Sequence, residues 1–272
     1  MVSGKIVVAA VQMQSTADVG KNLAMAVKHV DAAANAGAQF IGLPENYGFL
    51  GDRTVMITEA RPLDDHPYLS PMVDIARRRG VYVLAGSVPE VGPDDQHVYN
   101  TSTLIGPTGQ RLASYRKIHL FDATLSEGQS LCESDHVTAG ADVIAVDLPP
   151  FKLGMTICYD LRFPELYRAL VDQGVSLITI PAAFTLHTGK DHWEPLLRAR
   201  AIESQSYVIA PAQWGGHGGG RYSWGKTTVI DPWGTTLAIA SEGDGYIMAQ
   251  IDMAFLERVR SDVPSLRHRR LK

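Results

Sequence analysis

A thiol at Cys158, a carboxylate at Glu45 and an ammonium at Lys117 would together suffice for nucleophilic attack on a carbonyl. The carboxylate takes the thiol proton, the sulfur adds to carbon, and the ammonium steadies the negative charge that develops on oxygen. Each of the three stands at the end of a strand-like segment. Leu153 to Ile157 read as a buried strand that delivers Cys158, and Pro164 followed by ELYRAL reads as a helix with proline in its first turn. A helix N-terminus or a cation near the sulfur favours thiolate. The cysteine also reads as a small inert hydrophobe, the usual fate of a free thiol. Glu45 follows FIGLP and Lys117 follows RLASYR; taken singly, both also read as ordinary surface charges. Ligand sites collect at strand ends in open α/β architectures, so everything turns on whether the fold brings these three ends together.

A competing chemistry is written in GRYSWGKT, Gly220 to Thr227, which fits the phosphate-loop pattern G-x-x-x-x-G-K-[ST]. Such a loop holds phosphate because it joins a strand to a helix whose N-terminal amides face the anion. Here GGHGG precedes it and TTVIDPWG follows, β-branched residues running into a proline turn, so a hairpin arm is expected and no phosphate cradle. The sequence has no G-x-S-x-G, no H-E-x-x-H and no C-x-x-C. His187 and His192 stand five apart, which does not align two ligands on one helical face, and no metal site is expected.

The elements that must position these residues show an internal echo. TLIGPTGQRLA (Thr103 to Ala113) answers TVIDPWGTTLA (Thr228 to Ala238), each two β-rich arms around a Pro/Gly turn. VYVLAG (Val81 to Gly86) answers SYVIAP (Ser206 to Pro211), and AGAQFIGLP (Ala36 to Pro44) answers QGVSLITIP (Gln173 to Pro181). Each half then reads as strand, helix, strand, helix, strand, hairpin. Two such sheets are covered on both faces if they pack on each other with helices outside, an α-β-β-α sandwich of one continuous domain over residues 1–272. The 272-residue length supports a full core, and the formal net charge of −4 gives no electrostatic reason to expect nucleic acid or an anionic membrane. The basic runs Arg77 to Arg79 and Arg267 to Arg270 read as solvated surface. Two cysteines, Cys132 and Cys158, are too few to staple the chain, and the apolar run in MVSGKIVVAAVQMQ is too short for a signal core or a membrane span. A soluble cytoplasmic protein is the expectation.

The segments LPEN, YRKIHLFD and GMTICYDLRFPE together resemble the signatures of the nitrilase superfamily of carbon–nitrogen hydrolases, and the resemblance runs from the first strand to PSLRHRR. It implies the same four-layer sandwich, homodimers or larger homo-oligomers, a small-molecule amide substrate, no cofactor, and a catalytic set of Glu45, Lys117 and Cys158. The family's second glutamate carries over to Glu133, with Glu127 as the competing position, and Cys132 reads as a bystander. The backbone N–H of Tyr159 would join Lys117 as an oxyanion donor. Arg162 is placed either to hold a substrate carboxylate or to form a structural ion pair. Phe184 and Thr188 would line the pocket, and Glu194 and Arg198 fit an i, i+4 pair supporting it. AQWGGHGGGRYSWGKTTVIDPWG resembles the branch containing the deaminated-glutathione amidases; an ω-amidase acting on 2-oxoglutaramate, or a nitrilase, is the alternative. The glycine-rich stretch GGHGGG leaves the loop's conformation and the preferred substrate size open.

Overall fold

The computed structural model describes residues 4–124 and 130–271. Its first half runs β1 (Lys5–Gln12), α1 (Val19–Asn35), β2 (Phe40–Gly42), α2 (Arg53–Glu59), α3 (Leu69–Arg79), β3 (Tyr82–Val91), β4 (Val98–Ile105) and β5 (Arg111–Arg116). A small ribbon, β6 (Asp122–Thr124) with β7 (Ser130–Cys132), and the strand β8 (Ala145–Leu148) lead into the second half. There follow β9 (Phe151–Met155), α4 (Pro164–Asp172), β10 (Leu177–Thr179), α5 (Leu186–Ser204) and β11 (Tyr207–Ala210). The ribbon β12 (Trp214–Gly216) and β13 (Tyr222–Trp224), the hairpin β14 (Thr228–Ile230) and β15 (Thr236–Ile239), then β16 (Gly245–Asp252), α6 (Met253–Asp262) and α7 (Ser265–His268) complete it.

The echo in the sequence is an echo in space. One six-stranded sheet has the order β16-β1-β2-β3-β4-β5 and the other β8-β9-β10-β11-β14-β15, with matching parallel and antiparallel pairings in the two. The expected consensus lacked only the outermost partner in each, β16 on β1 and β8 on β9, both antiparallel. Strand alternation explains the layers. Along β1, Val8 and Ala10 join a core shared with Leu153 and Met155 of the other sheet, while Ala9 and Val11 join Ala26, Val30 and Met72 of α1 and α3. Both faces of the strand are therefore apolar, as a sheet with a sheet on one side and helices on the other requires. Leu166 and Leu170 of α4 and Trp193 and Leu197 of α5 cover the second sheet.

The helix starts follow capping chemistry. Asp18 accepts from the Lys21 N–H at the head of α1, and α4 begins at Pro164, whose missing donor costs nothing in a first turn. Arg79 of the basic run ties α3 to α1 through Asp31 at 2.7 Å. Beyond the glycine-rich loop, Ser223 and Trp224 lie in β13 and Val229 in β14, so no helix follows GKT and the phosphate-loop pattern has no cradle. Among the described residues no helix is long and apolar enough to cross a membrane.

Candidate active site

Four strands end at one place. Glu45 follows β2, Lys117 follows β5, Cys158 follows β9 after two residues, and Ala183 lies beyond β10. The sheets are stitched here by a parallel bridge between Met13, beyond β1, and Gln213, beyond β11, and a bridge between Ala182 and Ala212 extends the β10–β11 pairing toward the site. The chain turns sharply after β9 into a 3-10 turn, Cys158–Arg162. Cys158 itself has φ 46°, a left-handed conformation that costs a non-glycine residue roughly 1–2 kcal/mol. That cost is offset by its N–H, which donates to Pro181 O at 2.9 Å, and by buried Asp160, which accepts the Ile157 N–H at 2.8 Å. A strained backbone that points a reactive side chain into a cleft is a recurring sign of function.

Glu45, Lys117 and Cys158 are 3%, 2% and 8% exposed, so none is an ordinary surface charge or a solvated thiol. Lys117 Nζ donates to Glu45 Oε1 at 3.0 Å and to Glu133 Oε1 and Oε2 at 3.0 and 2.8 Å. Asn100, on β4, donates its amide to Glu45 Oε1 at 2.9 Å and to Glu133 Oε1 at 3.3 Å. Glu45 Oε2 accepts the Ala183 N–H at 2.8 Å, and the Phe121 N–H donates to Glu133 Oε2 at 2.7 Å. Buried charge is tolerated here because each carboxylate has several donors and the ammonium has two carboxylates.

The electrostatics follow from that packing. Burial opposes the charge on Lys117, but the Glu133 and Glu45 carboxylates, with Cys158 behind them, hold its pKa well above the ordinary lysine value. Burial pushes Glu133 up, and Lys117 together with the Phe121 and Asn100 hydrogen bonds outweighs it and leaves that carboxyl below its usual range. For Cys158, burial and then the Glu45 charge push the thiol well above its ordinary value against the pull of Lys117. The resting sulfur is therefore protonated, with a carboxylate beside it able to take the proton.

Eight of the residues singled out in the sequence, Glu45, Lys117, Cys158, Glu133, Tyr159, Arg162, Phe184 and Thr188, line one cavity of about 570 Å³. Glu127 lies outside the described residues. Arg162 does not form an ion pair among the described residues: its guanidinium donates to His192 Nδ1 at 3.3 and 3.4 Å and sits over the Phe184 and Tyr159 rings. The expected Glu194–Arg198 pair does not form. Both are exposed, and Arg198 Nε instead donates to Gly234 O at 3.0 Å. The arginine that braces the cysteine's turn is buried Arg200, which donates to Leu161 O at 2.9 Å and pairs with Glu203 at 2.7 Å. Its position on α5 faces the turn, whereas Glu194 and Arg198 face outward.

The glycine-rich loop forms one wall of the cavity. Gly218, Gly219 and Gly220 all have positive φ, which lets the chain double back and turn His217 inward. His217 Nδ1 donates to Ser15 O at 2.7 Å, since a carbonyl only accepts, and Nε2 is bonded to the Ser223 hydroxyl at 2.8 Å, which can donate to a neutral ring. Burial lowers its pKa in the same sense. Arg221 Nη1 donates to Gly51 O at 2.6 Å and closes the loop against the segment after Glu45.

Sequence reading missed Asn100, Asp160, Arg200 and His217. Asn100 had a signal, because an amide within the strand VYNTSTLI is unfavourable unless something pairs with it. Asp160 and Arg200 each bond a near neighbour, Ile157 and Glu203, but the partners that tie them to the site, Tyr115 and His119 for the one and Leu161 for the other, are distant in the chain.

The carbon–nitrogen hydrolase family model matches residues 7–261. A deaminated glutathione amidase of Synechocystis is 45% identical over 271 residues, covering 96% of this chain and 97% of that protein. The crystal structure of the Caenorhabditis elegans NitFhit protein superposes with a TM-score of 0.92 at 37% identity, covering 99% of this chain and 66% of that one. Saccharomyces cerevisiae Nit3, a member of branch 10 of the nitrilase superfamily, gives a TM-score of 0.89 at 29% identity, covering 98% and 97%.

Proposed function

Because this chain belongs to the carbon–nitrogen hydrolase family, we propose that it is a deaminated glutathione amidase working through a thioester on Cys158. The observation that carries the chemistry is the buried Lys117 ammonium held between Glu45 and Glu133 beside the thiol. Glu45 takes the Cys158 proton as the sulfur adds to the amide carbon. The oxyanion is met by Lys117 and the Tyr159 N–H, each good donor contributing about 3 kcal/mol. Collapse breaks the C–N bond, and Glu45 returns the proton to the amine of departing cysteinylglycine. Glu45 then takes a proton from water, which adds to the thioester; a second collapse frees 2-oxoglutarate and restores the thiol. Glu133 and Asn100 orient Lys117 and Glu45.

Substrate size and charge support this reading. A cavity of about 570 Å³ lies in the range that encloses a ligand larger than a small primary amide. Arg162, with no carboxylate partner among the described residues, is fitted to hold the 2-oxoacid carboxylate against Phe184 and Tyr159. Purified protein is expected to turn over deaminated glutathione faster than 2-oxoglutaramate and to show a 2-oxoglutaryl adduct on Cys158 by mass spectrometry of the quenched reaction. Preference for 2-oxoglutaramate would make it an ω-amidase, and inactivity on both would refute the branch. A homodimer or larger homo-oligomer in sedimentation velocity is also part of this proposal.

A further inference from the structure

Asp160 is fully buried and has no carboxylate chemistry of its own to perform in the steps above. The four hydrogen bonds of its carboxylate divide between two segments that are far apart in the chain. Oδ2 accepts the Ile157 N–H at 2.8 Å, immediately before the cysteine, and the Tyr115 hydroxyl at 2.7 Å. Oδ1 accepts from the His119 N–H at 3.0 Å and from His119 Nδ1 at 2.8 Å. Tyr115 and His119 flank Lys117 by two residues on either side. The Tyr115 hydroxyl also accepts the Ile118 N–H at 3.3 Å, and the His119 ring stacks on Phe163 at 3.7 Å, so both flanks are fixed a second time.

We infer that Asp160 is a positioning residue: it pins the segment carrying Lys117 to the turn carrying Cys158 and so sets the ammonium's place relative to the sulfur. The two segments come from different sheets, β5 of one and β9 of the other, and Asp160 joins them with one rigid planar group. An oxyanion donor acts only at hydrogen-bond distance from the developing charge, so a small shift of Lys117 takes that stabilisation away. The thiol and Glu45 meet through other contacts, the Ala183 N–H among them, and keep their own relation. This rests on the proposed roles of Cys158 and Lys117.

The test compares two reactions of the same sulfur. Hydrolysis of p-nitrophenyl acetate forms an oxyanion; modification by methyl methanethiosulfonate turns the thiol into a methyl disulfide with loss of methanesulfinate and forms none. An asparagine at 160 accepts at one atom only, and its Nδ2 would face an N–H or O–H donor. Asp160→Asn is expected to slow ester hydrolysis about 100-fold, the cost of losing one oxyanion donor, with methanethiosulfonate modification within about 5-fold of wild type. Tyr115→Phe removes one of the four bonds and is expected to slow ester hydrolysis about 5-fold with modification unchanged. Should Asp160→Asn fail to fold, Tyr115→Phe decides. A network that merely stabilised the fold would lower the melting temperature and leave the two reactions in step, or touch neither, and either outcome overturns the inference. A wild type that hydrolyses the ester but not deaminated glutathione overturns the substrate reading alone; one inert to both overturns both, and for one active only on deaminated glutathione that amide replaces the ester in the comparison.

Discussion

Replacing Lys117 by methionine keeps the length of the side chain and removes its charge, which isolates what the ammonium does for the fold. In the native site Nζ lies 3.0 Å from Glu45 Oε1 and 2.8 Å from Glu133 Oε2, with side chains 2%, 4% and 13% exposed. Breaking a buried pair by removing one partner costs roughly 3–5 kcal/mol, because the other charge is left uncompensated. Here two carboxylates are left, sharing the Asn100 amide. For a chain of this size the cost corresponds to a fall in melting temperature on the order of 10 °C near neutral pH. The variant has a way out: two like charges in one buried site raise the pKa of at least one, which then binds a proton. A carboxyl raised in the folded state contributes stability that is complete below its unfolded pKa and lost as pH rises through the folded pKa. Native Glu133 has the opposite sign, since its folded pKa is depressed, and its contribution is lost as pH falls through that value. The gap in melting temperature between native protein and Lys117→Met should therefore be widest near pH 8 and narrow towards pH 5. Differential scanning fluorimetry across that range reads it directly. A gap of only a degree or two, or one that widens on acidification, would refute the idea that the ammonium compensates both carboxylates.

Cys158→Ala should abolish the acyl adduct and lower turnover by more than about 1,000-fold, with a melting temperature within a few degrees of native, since one sulfur is lost from a site that already opens on the cavity. Arg162→Ala should raise KM for deaminated glutathione about 10- to 100-fold with a smaller change in kcat, the loss of a charge-assisted hydrogen bond to the substrate; an unchanged KM places the carboxylate elsewhere. Gly86→Ala tests the support under Glu45: a Cβ there would lie 2.0 Å from Leu43 O and 2.3 Å from Pro44 O, both backbone atoms that cannot swing aside. A loss of about 3 kcal/mol or more in urea unfolding, with turnover falling in the folded fraction, is the expected outcome.

What the sequence determined alone is what neighbouring residues decide between themselves. RLASYR is strand β5 to the residue, Pro164 starts α4, and the β-branched run after GKT enters β14 as a strand with no phosphate cradle. The repeated strand, helix, strand, helix, strand, hairpin pattern carried both sheets, because period and turn chemistry are local properties that survive in each copy. The outer strands β16 and β8 escaped it, since which chain segment fills a sheet edge depends on partners outside the repeat. The family likeness pointed to Glu45, Lys117, Glu133 and Cys158, but nothing in their spacing says that the thiol is held protonated, that one lysine serves two carboxylates, or that Asn100 and Asp160 hold the arrangement in register. Glu194 and Arg198 had the right spacing for a pair and did not make one, while Arg200 took the bracing role. The difference is physical: backbone preference is set within a few residues, whereas charge state depends on distance and burial summed over side chains from every part of the chain. Only the tertiary structure fixes those two quantities.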